Sequence, residues 1–385
     1  MTPYYSPNFG IKSLIKSAFV RNSEAVLIDF FRDYTRKKYI LLTSSCRSAL
    51  FLSYKGLELS GDVVTSPLTC KVAIDPIVSS GNNPKYIDIE IDSFSMKMDS
   101  LAAGITKETK AIQVIHIGGI PSNPSKIRKF CDEIGVFMIE DCAQGFMSFE
   151  NGLPCGSLGD VSCFSLIKNA YGIGGGVLAT DDKEIFLRAK KLNDTFPNLS
   201  KSLIVYRIIR NILETNRTRL GGEFLFSKLL RLRNKNKNKK ETLLLDTLTK
   251  MSSIEKRIAA VQIQQSRKLN GKRVEVALRL NEECTKIGIK SVAFNRDEQI
   301  LSYTKFYISD PRINSKKDIK RLNELGIEAK HLEQKINSYY QEKLTEEDLI
   351  NYNNVHDHLL SIPLREDFNQ KDINKIIQTL KKVIK

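Results

Sequence analysis

The chain has 385 residues, 41% of them hydrophobic and 27% charged; that length exceeds the reach of one hydrophobic core, so two structural units are expected and a disordered or fibrous chain is excluded. No apolar run of about 18 residues occurs and the N-terminus has no basic, apolar leader, so membrane spanning and export are disfavoured and a cytoplasmic protein is expected. The formal charge of +16 is concentrated, with twelve basic and two acidic side chains between Lys201 and Lys240, and no helix-turn-helix or aromatic-interleaved basic sheet points to nucleic acid.

From about residue 38 to 180, short β-rich runs alternate with helix-length stretches: KYILLTS, DVVTS, PKYIDI, AIQVIHI, VFMIED, VSCFSL and GGGVLAT. Several are apolar on consecutive residues, which suits strands covered on both faces and predicts an α/β fold with a mainly parallel sheet. Residues 183–245 break the rhythm as a basic insertion, containing SLIVYRIIRNIL, FLFSKLLRLR and NKNKNKK. Apolar and basic residues mixed in this way suit either an interfacial helix on an anionic membrane surface or a solvated loop. A long linking helix is predicted from Met251 to roughly residue 285. A strand over ILSYTKFYIS, a helix from about Lys316 to Glu324 and a last helix after Asn369 follow. In the last helix Ile373, Ile376, Ile377, Leu380 and Val383 form one apolar stripe. The expected division is therefore a large unit over 1–250 and a linking helix with a smaller α/β unit over 251–385.

Residues just past strand ends are the natural place for a ligand in an open α/β sheet. Ser44 to Leu50 form a polar turn entering a helix, where backbone N–H groups and Arg47 suit a phosphate, although a plain Ser cap explains the turn equally. Glu140, Asp141 and Gln144 follow VFMI; an acid there can cap a helix, bind a metal or pair with a protonated ring nitrogen, and no histidines stand nearby in sequence for a metal. Lys168 lies between two apolar strands in a low-charge stretch, where burial is expected to make it a usable amine nucleophile. The glycines at 172 and 174–176 let backbone pass close by. Because the lysine precedes them, the run is neither a nucleotide phosphate loop nor a dinucleotide fingerprint.

Ser66 to Cys70 suit one wall of a pocket or a simple turn. His116 ends a strand, and His356 and His358 are two apart on a helix, a spacing that does not make a ligand pair. The seven cysteines, at 46, 70, 131, 142, 155, 163 and 284, form no C-x-x-C pair and read as reduced thiols without zinc or disulfides.

In order and spacing, the segments SSCRSALFLSYKGLELSGDVV, SPLTC, IEDCAQG, GSLGDVSCFSLIKNAYGIGGGVLATDD, MSSIEKRIAAVQIQQ and SIPLREDFNQKDINKII resemble the DegT/DnrJ/StrS family of aminotransferases. These are fold-type I pyridoxal-phosphate enzymes, and the likeness covers most of the chain outside the insertion. The resemblance implies that Lys168 is the Schiff-base lysine, Asp141 the partner of the cofactor's pyridine nitrogen and Gln144 a neighbour of its phenolic oxygen. Ser165, Arg47 and Ser48 match phosphate-holding positions. It further implies an amino-acid donor, typically glutamate, a nucleotide-linked keto sugar as acceptor, a role in surface polysaccharide or glycan synthesis, and a homodimer. This chain departs from the pattern in four places. It has two residues fewer between FS and the lysine, which leaves Ser162 as the alternative to Ser165. Cys46 replaces a glycine, Cys70 stands where many relatives stack an aromatic residue, and Leu248 and Lys250 replace an asparagine and an arginine. A related branch that dehydrates has histidine in place of the lysine, so Lys168 favours transamination; a non-catalytic cofactor-binding homologue is the other reading.

Overall fold

A computed structural model describes residues 2, 9–217, 225, 244–292, 299–302, 305–331 and 349–384. All seven runs expected as strands are strands: β1 (Tyr39–Thr43), β2 (Asp62–Thr65), β3 (Asn83–Tyr86), β4 (Thr109–Ile115), β5 (Phe137–Cys142), β8 (Val161–Ser165) and β9 (Gly176–Thr180). Two short strands, β6 (Phe149–Glu150) and β7 (Leu153–Pro154), lie outside this sheet. The order is β1-β9-β8-β5-β4-β2-β3, with parallel pairing throughout β3-β2-β4-β5-β8 and antiparallel pairing of β9 to both neighbours. β9 reverses because only ten residues, 166–175, separate it from β8, and a parallel return needs a crossover of about a dozen or more. Central strands β5, β8 and β9 are buried almost end to end, as their unbroken apolar runs require.

The linking helix runs Ser253–Lys286 and starts at a capping box in which Ser252 and Glu255 satisfy each other's backbone N–H groups. Val276, Ala277, Leu280 and Cys284 of this helix share one apolar core with Val63 and Ile139 of the sheet and with Ile376 and Leu380 of the last helix. That last helix, Gln370–Val383, is capped by Asn369 and buries all five residues of the expected stripe. ILSYTKFYIS is two short strands in place of one: β10 (Gln299–Ile300) pairs with β6, and β11 (Phe306–Ser309) pairs with β12 (Leu359–Ile362).

Two helices the sequence reading passed over, Ile11–Ala18 and Ser23–Thr35, open the described chain. The second packs Phe31 and Tyr34 against Phe146 and Phe164, and the Tyr34 hydroxyl accepts the Met147 N–H at 2.9 Å. The first part of the basic insertion is also ordered, as helices Lys183–Asn193 and Lys201–Thr215. SLIVYRIIRNIL is therefore helix and not a solvated loop. Its inner face joins Phe9, Ile173, Leu199 and Ile258, while Val205 and Ile209 are exposed. NKNKNKK and nearly all of FLFSKLLRLR lie outside the described residues.

Glu140, fully buried on β5, holds the sheet's carboxyl edge together. It accepts N–H bonds from Gly156 (2.8 Å), Leu158 (2.9 Å) and Gly159 (2.5 Å), and lies 3.2 Å from Nε2 of the equally buried His116. Ser122 N lies 3.2 Å from His116 Nδ1; burial lowers the imidazole's pKa, but Cys155 and Glu140 outweigh it and raise it to about 10. His116, Glu140 and Cys142 bring ligand-type atoms within 4.8 Å of one another, yet the carboxylate lone pairs are already taken by these donors. Burial works against the Glu140 carboxylate, but His116 and the amides more than offset it and hold its pKa below the usual 4.5.

Glu140→Ala should therefore cost about 3–5 kcal/mol in urea unfolding, because several buried donors lose their acceptor. Glu140→Gln isolates the charge. With the folded pKa depressed, the carboxylate stabilises fully above the ordinary value of 4.5 and loses that contribution as pH falls through the lower folded value. The stability gap between the parent and Glu140→Gln should accordingly be widest near neutral pH and close in acid.

Candidate active site

The carboxyl ends of β1, β2, β4, β5 and β8 surround a cavity of about 380 Å³. Its walls include Ser45 to Arg47 after β1, Thr69 and Cys70 after β2, Asp141 and Gln144 at the end of β5, Ser165 at the end of β8, and Lys168. The sequence reading had picked out each of these positions, and the sheet brings them to one place.

Helix Cys46–Gly56 starts at Ser45, whose hydroxyl accepts the Ser48 N–H at 3.1 Å. The N–H groups of Cys46 and Arg47, first in the helix, have no acceptor within it and lie beside the cavity. Ser48 does not line the cavity; it is 1% exposed, with its hydroxyl 3.0 Å from those of both Ser44 and Ser45. It supports the turn from behind. A Cβ on Gly176 would fall 2.2 Å from Ser45 C and 2.4 Å from Cys46 N, so only glycine lets β9 pass beneath this turn.

Asp141 points to the opposite side of β5 from Glu140 and is 4% exposed. Its Oδ1 accepts the Ala143 N–H at 2.9 Å and the Cys46 S–H at 3.7 Å, while Oδ2 has no partner among the described residues. Burial raises the Asp141 pKa above the ordinary value, and the Lys168 ammonium opposes that rise. Burial and the nearby Asp141 push the Cys46 thiol well up, so it stays a protonated donor. The Gln144 Oε1 accepts the Gly118 N–H at 3.2 Å, which fixes its amide at the cavity edge. Of the two candidate serines, Ser165 reaches the cavity, 5% exposed and with its hydroxyl free of a hydrogen bond to any described residue. Ser162 is wholly buried and turned toward Glu140 at 3.4 Å.

Lys168 was expected to be buried among apolar neighbours. It is half-buried, because the connection between β8 and β9 sets it on the cavity wall instead of in the core. The turn is closed by Gly172 N–H to Leu166 O (2.7 Å) and Leu166 N–H to Gly175 O (3.1 Å). Its neighbours anchor it. Asn169 Nδ2 donates to Gln144 O (3.1 Å), Phe146 O (2.8 Å) and Ser302 Oγ (2.8 Å), and Asn169 Oδ1 accepts from the buried Arg273 at 3.0 Å. Arg273 also donates to the Tyr171 hydroxyl, which donates in turn to Glu366 at 2.9 Å.

Sequence reasoning missed Asn169, Tyr171 and Arg273, and also two residues that line the cavity, Arg207 from the segment taken as an insertion and Thr247 just after it. Arg273 had one available sign, a cation three residues from Asn270 on an inward helix face; Arg207 had none. Leu248 packs against Phe51 and Leu244, and Lys250 donates its N–H to Pro197 O at 2.9 Å.

GDP-perosamine synthase of Vibrio cholerae is 31% identical over 196 residues, covering 47% of this chain and 53% of that protein. The dTDP-4-dehydro-2,3,6-trideoxy-D-glucose 4-aminotransferase of Saccharopolyspora spinosa is 33% identical over 157 residues, 40% of this chain and 41% of that one. The chain thus spans about half the length of these relatives or less. The solved aminotransferase TlmJ from Streptoalloteichus hindustanus superposes with a TM-score of 0.78 at 18% identity, over 99% of this chain and 98% of that one. That likeness is one of fold, and the expected fold-type I α/β architecture is the one found. The sequence pattern of the DegT/DnrJ/EryC1/StrS aminotransferases matches residues 22–381, and the chain belongs to that family.

Proposed function

We propose that this protein is a pyridoxal-phosphate-dependent aminotransferase that moves an amino group from an amino acid, glutamate, to a nucleotide-linked keto sugar in surface polysaccharide or glycan synthesis. The observation that carries the reading is a primary amine, Lys168, lining one cavity with a buried carboxylate oxygen, Asp141 Oδ2, that has no partner among the described residues. The donor set fits the cofactor at each of its ends. Lys168 suits its carbonyl carbon, Asp141 its ring nitrogen, Gln144 its phenolic oxygen, and the Ser165 hydroxyl, the Cys46 and Arg47 amides and the Arg47 side chain its phosphate.

When bound, pyridoxal phosphate supplies an electrophilic carbonyl carbon and an electron-accepting ring. Lys168 Nζ would hold that carbon covalently and, once displaced by the donor amine, would take the proton from the donor's α-carbon and later return it. Asp141, negatively charged, favours the protonated ring nitrogen and so strengthens the ring's pull on electrons. Ser48 and Gly176 act at one remove by shaping the phosphate turn. The sugar-nucleotide acceptor is supported by the names of the two sequence relatives. A homodimer is part of the proposal because the family resemblance implies it, and a cytoplasmic location because the seven cysteines read as reduced thiols. Among the described residues no helix is long and apolar enough to cross a membrane.

Borohydride reduction of the protein incubated with pyridoxal phosphate, followed by peptide mapping, should place the label on Lys168, and Lys168→Ala should abolish it; a label elsewhere, or none, overturns the reading. Asp141→Asn should still be labelled at Lys168, yet convert cofactor with glutamate about 10²-fold more slowly or worse in stopped-flow absorbance. The loaded protein, given glutamate and then a panel of nucleotide-linked keto sugars, should return to its starting spectrum only with its acceptor.

A further inference from the structure

The helix Lys201–Thr215 entered the sequence reading as an inserted segment with no part in the site. It begins at Ser200, whose hydroxyl accepts the Leu203 N–H, and it seats Ile204 on Ile173 of the lysine turn and on Ile258 of the linking helix. One turn further on, Arg207 comes from the same inner side to the cavity wall. Its Nη1 is ion-paired with Oε1 of Glu255, which is fully buried. The other oxygen, Oε2, is occupied by the Ser252 N–H and hydroxyl, each at 2.9 Å. The capping box of the linking helix therefore fixes the acid that fixes the arginine. Nε and Nη2 of Arg207 have no partner among the described residues.

The position of this guanidinium identifies what it faces. It lies against Gly174, where a Cβ would fall 2.5 Å from Nη1. The next residue, Gly175, donates its N–H to Ser44 O at 3.0 Å, and Gly176 pairs with Ser165 across the β8–β9 ladder while running beneath Ser45 and Cys46. Arg207 thus stands at the end of the cavity that already holds the helix start, Arg47 and the Ser165 hydroxyl, which is 5% exposed and without a hydrogen bond to any described residue.

We propose that Arg207 grips the phosphate monoester of the cofactor with the free edge of its guanidinium, and that Glu255 is the positioning residue that aims it. This inference rests on the pyridoxal-phosphate reading above. A planar fork with one nitrogen tethered presents two parallel donors to two oxygens of a dianion, a geometry lysine cannot offer. The buried Glu255 neutralises Arg207 before any ligand enters and spares the fold an uncompensated charge. The inserted helix is in this way part of the cofactor site, and its packing on Ile173 couples the grip to the lysine turn.

The experiment titrates the full chain, freed of cofactor, with pyridoxal phosphate and separately with pyridoxal, which lacks the phosphate, following absorbance. Arg207→Gln should weaken pyridoxal phosphate at least about tenfold, the loss of a charged hydrogen bond, while pyridoxal affinity stays within about twofold. Arg207→Lys, which keeps the charge and much of the packing, should fall between, and Glu255→Gln should weaken pyridoxal phosphate less than Arg207→Gln does. Equal weakening of both ligands would assign Arg207 a structural role. Unchanged phosphate affinity with a raised KM for glutamate would assign it to the substrate carboxylate. Either result overturns the inference while borohydride labelling of Lys168 in the parent protein leaves the functional reading standing; if the parent itself takes no label at Lys168, that reading fails first.

Discussion

Two carboxylates sit side by side on one strand, and the alternation of a β-strand sends them to opposite faces. Glu140 turns into the protein, where backbone amides and the His116 imidazole consume its lone pairs; Asp141 turns into the cavity with one oxygen held and the other without a partner among the described residues. The pair divides two tasks that a single acid would do badly. Desolvating a carboxylate is expensive unless hydrogen bonds replace the lost water, so the acid that keeps an open oxygen has to sit where a ligand can approach it. Glu140 makes that placement possible, because the turn it grips, residues 156–159, leads directly into β8 and so into Ser165 and Lys168.

The lysine turn is the second constraint. A ten-residue connection between antiparallel strands would be mobile if its own backbone bonds were all that held it. Here Asn169 ties it to the segment after β5 and to Arg273, and Tyr171, at a positive φ of 53°, accepts from Arg273 and donates to Glu366 near the last helix. Burial and the Glu366 carboxylate raise the Tyr171 phenol's pKa against the pull of Arg273, so the hydroxyl keeps its proton and serves as donor to the acid and acceptor from the arginine at once. A buried guanidinium is costly alone; shared among a phenol, an amide and, through the phenol, a carboxylate, it becomes a tether between the amine-bearing turn and the C-terminal elements.

The sheet was legible in the sequence because strands buried on both faces must be apolar without interruption, and each such run in the first 180 residues is a strand. The place of Lys168, Asp141 and Ser165 at strand ends was legible for the same reason. The long helix and the last helix announced themselves through their caps and stripes. What failed to show was everything decided by packing between distant segments. The exposure of Lys168 depends on the shape of a turn, the exclusion of Ser48 and Ser162 from the cavity depends on which way a side chain leans, and the role of Arg207 depends on Glu255, 48 residues away. The two N-terminal helices carry no strong cap pattern; Asn22 precedes the second without a capping hydrogen bond, and the second is held by aromatic contacts made far along the chain.

Of the seven cysteines, six are buried and only Cys70 is partly accessible, on the wall of the cavity. At the position where the family resemblance implies an aromatic side chain, this chain has a sulfur of small volume, so a reagent that modifies accessible thiols meets this cavity before it meets any other sulfur in the fold. A molecule that fills the cavity lies against that thiol, so covering the one and filling the other go together.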